Sequence, residues 1–233
     1  MKIQRLLPLA LIIGLVIASV FYWLHLRKVS TREQLTAQYE QGLKPIFDKN
    51  NIFCAEAQLQ FFDSMLRTSL GDSHKMIVSE YFKATALLKL GKEKDAIDIL
   101  KPLYERTKKS TDQLSLQIAQ YLALAYLRLG ERNNCLSNHT MESCEFPIRG
   151  MGIYSDTSAS QNGIRIYEDI LSRSPKDLES RWLLNIAYMT IGEYPGKVPP
   201  AWLMKGMDID TCSHKVNPFQ DMAGGLGFAS TRN

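Results

Sequence analysis

Residues 81–103 run YFKATALLKLGKEKDAIDILKPL, and two apolar faces are written into them. Tyr81, Ala84, Leu87, Leu88 and Leu90 recur at three- and four-residue intervals and so fall on one side of an α-helix. Ala96, Ile97, Leu100 and Leu103 mark a second helix in the same way. Gly91-Lys92 separates the two, and a glycine there ends one helix and turns the chain towards the next. The spacing predicts a helix–turn–helix hairpin with Ala84 and Ala96 at the point of closest approach.

This hairpin resembles a tetratricopeptide repeat, in which small residues let two antiparallel helices approach and the apolar side left over is covered by the next repeat. The register returns downstream. In the stretch Leu114 to Leu129, Leu122-Ala123, Tyr126 and Gly130 follow the spacing set by Lys83-Ala84, Leu87 and Gly91. The partner helix is delayed by residues 131–161, rich in Cys, Asn, Ser and Gly, which read as an inserted irregular loop. Gly163, Tyr167, Ile170 and Pro175 then fit the second helix of a repeat, and Leu184-Asn185, Tyr188 and Gly192 fit another first helix, with Trp182 near its start. Residues 73–192 are therefore expected to form three repeats with one long insertion, and loops of that length are uncommon unless they have a role.

Upstream, Leu6 to Leu26 contain no fully charged residue. At about 1.5 Å per residue such a helix spans a hydrocarbon core of roughly 30 Å. Tyr22 and Trp23 would sit in the headgroup layer, and Arg27 and Lys28 form a polar stop. Bulky Phe21, Tyr22 and Trp23 after Ala18-Ser19-Val20 argue against cleavage, so residues 1–28 are expected to be an uncleaved signal anchor of a single-pass membrane protein. Residues 29–72 read as a helical stalk or opening helices, carrying Leu35, Tyr39 and Leu43 and then Phe53, Ala57, Phe62 and Leu66 at helical spacing. Residues 193–233 read as an irregular Pro- and Gly-rich tail. The fold class expected is all-α: a transmembrane helix followed by a tetratricopeptide-like array with a Cys-containing insert.

The net charge of +4 narrows the partners. Lys2, Arg5, Arg27 and Lys28 flank the apolar segment, and without them 24 basic residues face 24 acidic ones. A neutral body without a basic stripe has no footprint for nucleic acid.

Cys135 and Cys144 lie close together in the insert, where a disulfide would brace a segment with little core of its own. That pairing needs an oxidising compartment and would place the body in the periplasm or outside the cell. A metal site is the other reading of the same residues, with Cys135, His139 and Cys144 joined by Cys212 or His214, although the spacings match no standard zinc knuckle. Cys54, on a helical face, reads as a buried small residue. No catalytic residues, cofactor or enzyme activity are expected: neither Gly150-Met151-Gly152 nor Gly224 to Gly227 has the context of a phosphate-binding loop, and the histidines are scattered.

Asn134-Cys135, Asn138-His139, Glu142-Ser143-Cys144, Phe146-Pro147-Ile148, the run Trp182 to Thr190 and Gly192-Glu193-Tyr194-Pro195 resemble the N-terminal region of bacterial proteins with FG-GAP repeats and an ASPIC/UnbV domain, related to cartilage acidic protein. The resemblance covers about residues 75–228. It implies helical repeats ahead of an extracytoplasmic β-propeller with calcium-binding Asp-rich loops. Phe219-Gln220-Asp221-Met222-Ala223 and Leu226-Gly227-Phe228 resemble the lead-in to that propeller, but no Asp-x-Asp-x-Asp-Gly loop is present, so its calcium sites do not carry over. The function expected is a membrane-anchored protein–protein interaction scaffold or subunit of a membrane-associated complex, with a protein partner and possibly a separately encoded β-propeller. The alternative is an extracytoplasmic metal- or cofactor-binding protein using the Cys/His loop.

Overall fold

Three helices open on an aspartate whose carboxylate accepts the backbone N–H three residues on: Asp72 from Lys75, Asp112 from Ser115 and Asp177 from Ser180. Each satisfies one of the donors that a helix start leaves without an internal partner. In the computed structural model, residues 6–45, 51, 53–69, 71–207, 222, 223, 225 and 226 are described. They form α1 (Leu6–Leu43), α2 (Ala55–Thr68), α3 (Ser73–Lys89), α4 (Glu93–Thr107), α5 (Gln113–Ser137), α6 (Ser158–Arg173) and α7 (Leu178–Thr190), with short 3-10 turns at Met141–Ser143 and Gly150–Gly152. Among the described residues there is no strand, and the chain divides into two units, residues 1–91 and 92–233.

The structure corrects the expected membrane localisation. Among the described residues no helix is long and apolar enough to cross a membrane. Helix α1 continues without a break into the polar residues 32–42, whose side chains are exposed.

In the first unit α2 packs on α3. Phe62 stacks on Phe82 with ring centroids 5.2 Å apart, Lys83 Nζ lies 2.7 Å from Asp63 Oδ1, and Lys89 donates to Gln58 Oε1. The apolar face of α3 is buried at Tyr81, Ala84, Leu87 and Leu88. Gly91, at φ +69°, turns the chain after α3 in the left-handed region that a side chain would resist.

In the second unit α4 packs on α5, α5 on α6, and α6 on α7. The α5–α6 pair is antiparallel: Gly130 lies against Ala159 and Ser160, Gly163 against Leu127 and Ala123, and Arg173 donates to Ser115. Leu100, Leu103, Ile118, Leu122, Ile170, Leu171 and Leu184 are fully buried, and Ala96 and Ala123 have no exposed surface. Truncating one such leucine to alanine costs about 2–5 kcal/mol. Glu93, buried at the start of α4, is held by Arg132 of α5.

Gly130 differs from the expectation that it ends a helix. The chain stays helical to Ser137, so the irregular connection occupies residues 138–157, not 131–161. A side chain at Gly130 would sit 3.4–3.5 Å from Ala159, Ser160 and Tyr154, so the residue serves as a close approach between α5 and the start of α6. Beyond α7, the segment up to residue 204 is hooked onto that helix. Arg181 donates to the carbonyls of Trp202 and Leu203, and fully buried Asn185 donates to Trp202 O and accepts from the Met204 N–H. The remainder of the expected tail lies outside the described residues except for positions 205–207, 222, 223, 225 and 226.

Candidate functional site

The side chains that α5 and α7 turn towards each other leave a small groove of about 160 Å³, bounded by Gln120, Tyr121, Leu124, Glu179 and Leu183, with Tyr167 of α6 behind them. The cap of α7 fixes its edge. Asp177 Oδ1 accepts from the Ser180 N–H, while Oδ2 accepts from Ser180 Oγ at 2.8 Å and from Gln120 Nε2 at 2.7 Å, which ties α7 to α5.

Tyr167 is only 1% exposed, and its hydroxyl has no hydrogen-bond partner. Three other phenols in the same unit are paired: Tyr104 donates to Asp169, Tyr188 to Glu168 and Tyr194 to the carbonyl of Met204. Buried polar groups are nearly always satisfied, so the unpaired one stands out among the phenols of this unit. Burial, reinforced by the carboxylates of Glu179 and Asp177, pushes the Tyr167 phenol far above its ordinary ionisation range and keeps it protonated.

The insert between α5 and α6 is built by short-range chemistry. Thr140 and Ser143 cap each other reciprocally, and the Glu142 carboxylate accepts from the Met151 N–H. Gly152 has to be glycine, since a side chain there would meet the Glu142 carbonyl at 2.3 Å. The loop is then fastened to two helices: Ser155 N–H donates to Asn134 of α5, and Tyr154 N–H donates to the Thr190 carbonyl of α7. Buried Tyr154 has its phenol pushed up to about 12, first by desolvation and then by Glu131, Cys144 and Cys135. A second, open cleft of about 340 Å³ lies between the insert and the C-terminal segment, against Ile148, Arg149, Tyr194, Pro195 and Leu203.

The cysteines depart from the expected disulfide. Cys135 and Cys144 are both free and exposed. The physical reason is the extra length of α5, which carries Cys135 on its last turns, while Cys144 Sγ lies 3.7 Å from His139 Nε2 in the loop. Among the described residues no group of three or more His, Cys, Asp or Glu side chains could hold a metal, and Cys212 and His214 lie outside them. Cys54 is buried and its thiol faces Glu56.

Of the residues singled out for packing, Ala84, Ala96, Ala123, Tyr167 and Tyr188 are buried, Tyr126 is half-buried, Pro175 follows the end of α6, and Gly192 turns the chain after α7 at φ +73°. Sequence reasoning did not single out Gln120, Asp177 and Glu179. An aspartate immediately before a helix, with serine three residues on, is the signal that marks Asp177 as a cap. Comparison with known protein families, with curated proteins and with solved structures returned no match.

Proposed function

We propose that the chain is a non-catalytic interaction module of the tetratricopeptide kind, in which the groove between α5 and α7 receives a segment of a partner protein. The observation that carries this reading is the groove itself: two helices separated in sequence by α6 share a concavity of about 160 Å³ floored by a buried, unpaired phenol. Stacked helix pairs commonly present such surfaces to peptides. The likeness of residues 75–228 to a region that precedes a β-propeller supports the same class of role, with a separately encoded propeller protein as one partner it implies.

A photo-crosslinking amino acid placed at Leu183, in the groove, should form adducts with a partner in cells of the source organism. The same group at exposed Arg165, on α6, should not. Equal yields from the two positions would refute the groove as the contact surface.

A further inference from the structure

We propose that the α5–α7 groove binds a lysine or arginine side chain presented by an extended segment of the partner. The inference rests on the interaction reading above and specifies what that module recognises. Its first support is the Tyr167 hydroxyl, which is buried, protonated and without a partner while its residue lines the groove, so its oxygen keeps an unused acceptor that a ligand donor meets as the lining side chains part.

The second support is charge. The two ionised groups acting on that phenol are both carboxylates, Glu179 and Asp177. Asp177 already accepts from Gln120 and from Ser180 twice, all neutral donors, so its charge is not neutralised. Glu179 is exposed and makes no hydrogen bond or ion pair among the described residues. A charged donor satisfies both needs: its charge offsets the carboxylates, and its N–H donates to the phenol oxygen once the lining side chains part. The third support is shape. Leu124 and Leu183 line the same groove, which suits the methylene stem of a long basic side chain, and about 160 Å³ has room for one such chain.

The test is selection by the full-length chain from an immobilised positional-scanning peptide library, followed by fluorescence-anisotropy titration of a resynthesised winner. The expected result is enrichment of Lys or Arg at one position. Norleucine at that position should weaken binding about tenfold or more. Glu179→Gln should weaken the basic peptide and Glu179→Lys should weaken it further, whereas Arg165→Glu on α6 should leave it unchanged. Tyr167→Phe, which removes one oxygen, should weaken binding by roughly three- to tenfold without lowering the melting temperature. Winners without a basic residue, or full affinity in both Glu179 variants, would overturn the assignment and leave the interaction reading standing. A library from which nothing is selected would overturn both.

Discussion

Gly91 and Gly130 hold the same place in two successive copies of one sequence pattern, and the chain uses them in opposite ways. At Gly91 the backbone enters the left-handed region and α3 ends. At Gly130 the helix runs on for two more turns, and the missing side chain makes room for Ala159, Ser160 and Tyr154. The pattern marks a position where a side chain is unwelcome without saying whether backbone conformation or a neighbour is the cause. The following residues decide. Arg132 reaches back to buried Glu93, and Asn134 takes the Ser155 N–H, so continuing α5 is rewarded by contacts that a turn would forgo.

Alanine substitutions separate the two uses. The largest effect belongs to Gly152→Ala, whose new carbon would lie 2.3 Å from the Glu142 carbonyl, and chemical denaturation should register a loss of about 3 kcal/mol. Gly192→Ala and Gly91→Ala come next. Each forces a side chain into the left-handed region, at about 1–2 kcal/mol, with Gly192 the worse because Ile153 stands 2.9 Å from the added carbon. Gly130→Ala should change stability by less than about 0.5 kcal/mol, because the gain in helix propensity is set against contacts at 3.4 Å. A loss at Gly130 as large as at Gly91 would erase the distinction.

A separate effect lies in alkaline titration. Tyr154 ionises at about 12 in the folded chain against 10.0 in its absence, so the folded state holds the phenolic proton longer. Its contribution is complete below pH 10 and is lost as pH rises from 10 through 12. Tyr154→Phe should therefore lose less stability across that window than the native sequence, as read by circular dichroism at stepped pH. Parallel curves would show that Tyr154 is not buried against the insert.

The helical text of residues 81–103 and 163–192 was legible because apolar periodicity reports directly on which face is buried. Besides the membrane span, two readings failed for identifiable reasons. The extent of the insert was misjudged because glycine has two uses and the polar run Glu131 to Cys135 looks like a loop when its partners, Glu93 and Ser155, are out of view. The disulfide was misjudged with it, because Cys135 belongs to a helix. At the groove, Tyr167 was visible as a packing aromatic, but its lack of a partner is a matter of distances across three helices. The catch of Arg181 and Asn185 on residues 202–204 is invisible to local pattern for the same reason.

In a stack of helical repeats each unit normally touches only its neighbours, so folding free energy is a sum of nearest-neighbour terms and the ends fray first. The insert strengthens one such term by joining Asn134 on α5 and Thr190 on α7 through consecutive residues, Ser155 and Tyr154. Together with the Gln120–Asp177 bond it makes α5, α6 and α7 one cooperative unit. In hydrogen exchange their amides should open together, with α7 protected well beyond what its place near the end of a linear array would confer.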